Sequence, residues 1–94
     1  MAVVMTATIP GATPELYDSL NREMGFPDQV PDGLISHHAA SVGDSMIIFD
    51  VWESKDQFED FAAGTLAPAM EKVTGGAGAG IKPTFAELHN EFHR

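Results

Sequence analysis

Met46 to Ala69 reads MIIFDVWESKDQFEDFAAGTLAPA, and within it a strand pattern passes to a helix pattern with no linker between them. Met46 to Glu53 is rich in β-branched and aromatic residues and short for a helix, which predicts a strand with little water on either face. Ser54 ends it. With Gln57 three positions on, Ser54 forms a capping box, in which the hydroxyl and the Gln side chain satisfy free backbone donors, so a helix is predicted from Lys55. From there Phe58, Phe61, Ala62, Thr65, Leu66 and Ala69 recur at helical spacing as one apolar stripe, and Asp56, Glu59 and Asp60 take the wet side. Pro68 predicts a bend or restart near Thr65.

Working outward, Leu34 to Ser41 reads as a strand, and Gly43 and Asp44 are the turn residues of a hairpin joining it to the strand at Met46. A two-residue turn pairs Val42 with Ser45, which sets His37 opposite Asp50 and Ile35 opposite Trp52. Towards the N-terminus, Ala2 to Ile9 alternates as a strand that Pro10 and Gly11 end. Thr13, Pro14 and Glu15 supply an N-cap, a proline at the first helical position and a first-turn acid. The helix they open carries Leu16, Leu20 and Met24 with Tyr17 beside them, and Gly25 closes it. Phe26 to Gly33, FPDQVPDG, is a loop.

After the second helix, the glycine-rich run from Val73 to Gly80 is expected to be a mobile connection. Its letters, GGAGAGIK, resemble a phosphate loop, but it follows a helix and precedes a strand, and no Ser or Thr follows Lys82. A last strand is expected from Thr84 to Phe92. The order βαββαβ over residues 1–94 is one α+β domain of ferredoxin-like form: a four-stranded antiparallel sheet with both helices on one face. The other face is bare and apolar. A second copy would cover it most readily, giving a homodimeric α+β barrel.

Five Lys and Arg stand against 14 Asp and Glu, a formal net charge of −9, which offers nucleic acid or an anionic membrane nothing to hold. The chain has no cysteine, and no apolar run approaches the roughly 18 residues of a membrane span. MAVVMTATIP lacks the basic start of an export signal, so a cytoplasmic location is expected. No flavin, nicotinamide or thiol signature is present, and no cofactor is expected.

Period-two alternation puts Ile35, His37, Ala39, Met46, Ile48, Asp50 and Trp52 on one face, and Leu34, Ser36, His38, Ile47, Phe49 and Val51 on the other. His37 with Asp50 reads in two ways. A carboxylate that fixes the tautomer of an imidazole makes a general base; the same two groups also satisfy each other if buried across a hairpin. On the last strand Phe85, Glu87, His89, Glu91 and His93 share a face. Alternate strand residues stand about 6.6–6.8 Å apart, too far for three successive ligands to converge on one ion, so no metal site is expected.

VWES at Val51 to Ser54, with Phe58 and Phe61 after it and GLISHHA before it, resembles the dimeric α+β barrel superfamily and, more narrowly, the antibiotic biosynthesis monooxygenase-like proteins. The resemblance spans nearly the whole chain in element order and length. It implies that Trp52 faces the barrel interior, that His37 and Asp50 go with it, and that His38 lies towards the helices. The cofactor-free oxygenases of this kind place a Trp on the third strand with an Asn four residues earlier; Trp52 matches, and Ile48 stands where the Asn would be. The haem-degrading members carry Trp and His on the second helix, where this chain has Phe61 and Glu71. The implied function is a small-molecule enzyme, a cofactor-independent oxygenase or an acid/base cyclase or isomerase, acting on an aromatic or polyketide-like substrate. His37 and Asp50 would be its catalytic pair, with Trp52, Ile35, Ile48, Met46, Phe58 and His89 around the substrate. The alternative is a non-catalytic binding or interaction module on the same barrel.

Overall fold

The computed structural model describes residues 2–75 and 82–94; the expected mobile connection falls largely on 76–81 and lies outside the described residues. Four strands, β1 (Val3–Pro10), β2 (Leu34–Val42), β3 (Ser45–Trp52) and β4 (Thr84–Glu87), form one sheet in the order β2-β3-β1-β4, every neighbouring pair antiparallel. Helix α1 (Pro14–Met24) follows β1. After β3 the chain runs as α2 (Lys55–Phe61), a wide π turn over Ala62–Leu66, and α3 (Ala67–Thr74). This is the ferredoxin-like α+β architecture expected.

Local chemistry sets the element ends. Thr13 Oγ1 accepts from the Leu16 N–H at 3.1 Å, Pro14 opens α1, and Gly25 closes it at φ +79. Ser54 Oγ accepts from the Gln57 N–H at 3.2 Å, while the Gln57 amide oxygen takes the Ser54 hydroxyl proton at 2.9 Å, so the Gln side chain binds the hydroxyl here. Pro68 has no N–H to give, and the helix opens before it: Ala67 donates to Ala62, five residues back. The bend expected near Thr65 is this π turn.

The last strand, expected from Thr84 to Phe92, ends at Glu87. Leu88 N–H still donates to the Ala2 carbonyl at 2.9 Å, but Leu88 to Arg94 has no regular structure. Strand β4 pairs only with β1, and beyond Ala2 the described chain offers it no partner.

The hairpin register is as expected at Val42–Ser45 and His37–Asp50, but Leu34 rather than Ile35 lies opposite Trp52. Ile35 is the extra residue of a β-bulge between Leu34 and Ser36, and every side chain before it changes face. Gly33 leads into the bulge at φ +91, with its carbonyl accepting from the Glu53 N–H at 2.7 Å. A Cβ there would stand 2.5 Å from the Gln57 side-chain amide carbon, and Gln57 is tied to Ser54. Gly33→Ala should therefore lose about 1–3 kcal/mol. The check is a thermal melt, where a fall of about 5–20 °C is expected for a chain of this size.

The core faces the helices. Met5, Ile48, Trp52 and Phe58 form one buried cluster, with Val3, Tyr17, Leu34, Phe61 and Phe85 packed against it. Leu20, Ala69 and Met70 form a second where α1 meets α3, and at its edge Lys72 Nζ reaches Glu23 Oε1 at 2.9 Å. The hydrogen bond and the negative charge of Glu23 hold the Lys72 ammonium above its ordinary pKa.

Candidate functional site

Strand β3 places Met46, Ile48, Asp50 and Trp52 towards the helices, all buried, while Phe49 on the other face is 41 % exposed. This corrects the expected arrangement, in which Trp52, His37 and Asp50 looked out through the bare face into a space closed by a second copy. They lie beneath the protein's own helices. The reason is the apolar stripe on α2: Phe58 meets the Trp52 ring edge-on at 5.4 Å and Phe61 lies 5.6 Å from it, so the indole completes an aromatic cluster that the open face could not supply. His38, expected on the helix side, stacks on Phe49 at 4.9 Å on the open face.

Between sheet and helices is a chamber of about 370 Å³, within the roughly 300–1,000 Å³ typical of small-molecule sites. Its walls are apolar for the most part: Met5, Ala7 and Ile9 from β1, Leu20 and Met24 from α1, Ile48 and Trp52 from β3, Phe58, Phe61 and Leu66 from the second helical run.

One chain of hydrogen bonds crosses the chamber wall. Trp52 Nε1–H donates to Asp50 Oδ2 at 3.2 Å, Asp50 Oδ1 is 2.6 Å from His37 Nδ1, and His37 Nε2 is 2.5 Å from the Tyr17 hydroxyl. A carboxylate only accepts, so in the neutral imidazole Nδ1 carries the proton and Nε2 accepts from Tyr17. Asp50 is 5 % exposed, and both its oxygens are matched, which is how a buried carboxylate is tolerated. The imidazole is packed as well as bonded: the Tyr17 ring lies end to end with it, 10° between planes with centroids 6.0 Å apart, and Phe26 meets it edge-on at 5.3 Å. The geometry can hold a proton at His37 and pass one between His37 and Tyr17.

The residues expected around a substrate divide. His37, Asp50, Trp52, Ile48 and Phe58 all line the chamber. Ile35 does not; the bulge leaves it 51 % exposed, and Leu34 takes the wall position instead. Met46 is buried against the helix side but does not line the chamber, and His89 lies past the end of β4, away from it. Among the described residues no three His, Asp or Glu side chains are grouped to hold a metal ion, and His93 pairs with Glu91 at 3.3 Å.

Tyr17 was the residue missed. Its signal was present, since Tyr17, Leu20, Asn21 and Met24 fall at i, i+3, i+4 and i+7 and all four line the chamber. The expected stripe, Leu16, Leu20 and Met24 with Tyr17 beside them, is shifted in the structure so that Tyr17 rather than Leu16 begins the face that lines the chamber.

No protein-family model matches the sequence, and no curated protein does. Solved structures do match. Rv0793 of Mycobacterium tuberculosis superposes with a TM-score of 0.69 at 15 % identity, covering 97 % of this chain and 98 % of that one. The monooxygenase from the gene ActVA-Orf6 of Streptomyces coelicolor, in complex with the ligand nanaomycin D, gives 0.63 at 16 % identity over 99 % of this chain and 92 % of that one. SnoaB of Streptomyces nogalater, a cofactor-independent oxygenase, gives 0.63 at 18 % identity over 99 % and 96 %. This chain shares its ferredoxin-like α+β fold with all three. In this chain the chamber is the space between sheet and helices, and Trp52, Asp50, His37 and Tyr17 form the hydrogen-bonded chain in its wall. Among the described residues no helix is long and apolar enough to cross a membrane.

Proposed function

We propose that the protein is a small-molecule enzyme of the antibiotic biosynthesis monooxygenase-like type, a cofactor-independent oxygenase or an acid/base cyclase or isomerase, acting on an aromatic or polyketide-like compound in the chamber. The observation that carries this is the hydrogen-bonded chain Asp50–His37–Tyr17 ending at an apolar space of about 370 Å³. Proton transfer is the one chemistry those side chains perform unaided, and it is the step that both reaction types share. That two structural neighbours are named as oxygenases, one holding a small molecule, supports the same reading. A thermal-shift screen of aromatic metabolites tests it: ligands that raise the melting temperature should be turned over, and His37→Ala should lower that turnover by about 10²–10⁴-fold. Ligands that bind and are never converted would leave the binding module in its place.

The open sheet face is assigned to a second copy of the chain. Phe49 and Val42 are exposed there, by 41 % and 54 %, with Ile47 partly buried on the same face, and large apolar side chains exposed together on one sheet face favour burial against a partner. Sedimentation should give twice the 10.1 kDa chain mass, and Phe49→Glu should return a folded monomer. A wild type that sediments as a single chain at micromolar concentration would overturn the dimer.

A further inference from the structure

His37 cannot meet a substrate as the molecule stands. An imidazole has two nitrogens, and both are committed to protein: Nδ1 to Asp50 at 2.6 Å and Nε2 to the Tyr17 hydroxyl at 2.5 Å. Trp52 is in the same position, because its one polar atom is given to Asp50, so the indole offers only a hydrocarbon surface. Tyr17 differs. Its hydroxyl uses its proton on His37, keeps acceptor capacity to spare, and belongs to a side chain that lines the chamber.

We propose that Tyr17 exchanges the proton with the substrate, with His37 as the store behind it and Asp50 the positioning residue. This rests on the chamber being an enzyme site and adds the substrate class. An O–H or activated C–H bond of the substrate breaks, and its proton bonds to Tyr17 Oη. The Tyr17 proton passes to His37 Nε2 in the same event. The electron pair stays on the substrate, which becomes an anion, and the new imidazolium is neutralised by the Asp50 carboxylate. One proton leaves the substrate and one is gained by the protein.

The wall chemistry fixes the substrate's charge. Besides Tyr17, the ionisable side chains lining the chamber are His37, Asp50 and Glu71; among the described residues no Lys or Arg does, in a chain of net charge −9. A substrate that arrived as a carboxylate or phosphate would be buried without a counter-charge. The substrate is therefore neutral on entry and acidic in place: a hydroxyarene or an enolisable ketone on a small aromatic frame.

The test uses 1-naphthol with the full chain at neutral pH, where the free compound is neutral and its anion absorbs at longer wavelength. Binding is read as quenching of Trp52, the single tryptophan, and proton transfer as the naphtholate absorption. The wild type should show both. Tyr17→Phe and, separately, His37→Gln should keep the quenching and lose the naphtholate band, with circular dichroism confirming that each is folded. The carboxylated analogue 1-hydroxy-2-naphthoate should bind roughly tenfold more weakly or worse. A naphtholate band that survives in Tyr17→Phe would show His37 taking the proton directly. Quenching without the band in the wild type would defeat the relay and leave the chamber reading standing, whereas no quenching at all would defeat both. Equal affinity for the carboxylate would overturn the charge assignment.

Discussion

Trp52→Ala should lose about 3–5 kcal/mol, the range for removing a large aromatic from a packed core. The indole is wholly buried, and it joins what would otherwise be separate parts. Phe58 and Phe61 of the second helical run pack on it, Val3 and Leu34 stand opposite it on the two flanking strands, and its N–H satisfies Asp50 Oδ2. Truncation opens a cavity and leaves a buried carboxylate oxygen short of a donor at once. Domains of this kind have only about 5–15 kcal/mol in hand, so a variant melting on the order of 15–30 °C lower is expected. Because the tryptophan signal is lost with the mutation, far-UV circular dichroism during urea unfolding is the measurement. Trp52→Phe, which keeps most of the volume and loses the donor, should fall between the two. A loss below about 1 kcal/mol for the alanine variant would mean that α2 is held on the sheet by something other than this cluster.

The sequence was legible wherever the determining chemistry is local. Thr13 with Pro14, Gly25, and Ser54 with Gln57 mark helix ends through contacts within one turn, and each end lies where those residues put it. A two-residue turn at Gly43 and Asp44 has only one tight pairing, so the opposition of His37 and Asp50 followed from it. The bulge at Ile35 was not legible, because it answers a distant demand: the Glu53 N–H binds the Gly33 carbonyl, and the strand must absorb one extra residue to reach it. Nor did alternation reveal which face of β3 the helices cover. Ile47, Phe49 and Val51 are as apolar as Met46, Ile48 and Trp52, so parity sorted the residues into two sets without ranking them. The aromatic stripe on α2 decides between the sets, and that is a packing energy between elements. Strand β4 illustrates the same limit: the alternating letters run on to Phe92, 74 % exposed in the structure, after the pairing partner has ended.

Asp50→Asn should nearly abolish proton transfer while leaving the fold largely in place. The aspartate accepts twice, from Trp52 Nε1–H and from His37 Nδ1–H, and an asparagine of the same shape accepts on one side and donates on the other. If its oxygen takes the indole N–H, its NH₂ faces His37 and forces the imidazole into the other tautomer, with the proton on Nε2. Nε2–H then donates to Tyr17, the Tyr17 proton turns away, and the hydroxyl no longer has an acceptor behind it. If instead the oxygen faces His37, the NH₂ meets the indole N–H donor to donor and one buried donor goes unpaired, at about 1–3 kcal/mol. The first arrangement avoids that collision, so the loss should appear in function. Turnover of an accepted substrate should fall by about 10²–10⁴-fold in kcat with KM little changed, and the naphtholate band should disappear while Trp52 quenching remains. A merely structural role for Asp50 would lower the melting temperature and leave the spectrum of bound naphthol as it was, which is the result that would assign Asp50 to packing alone.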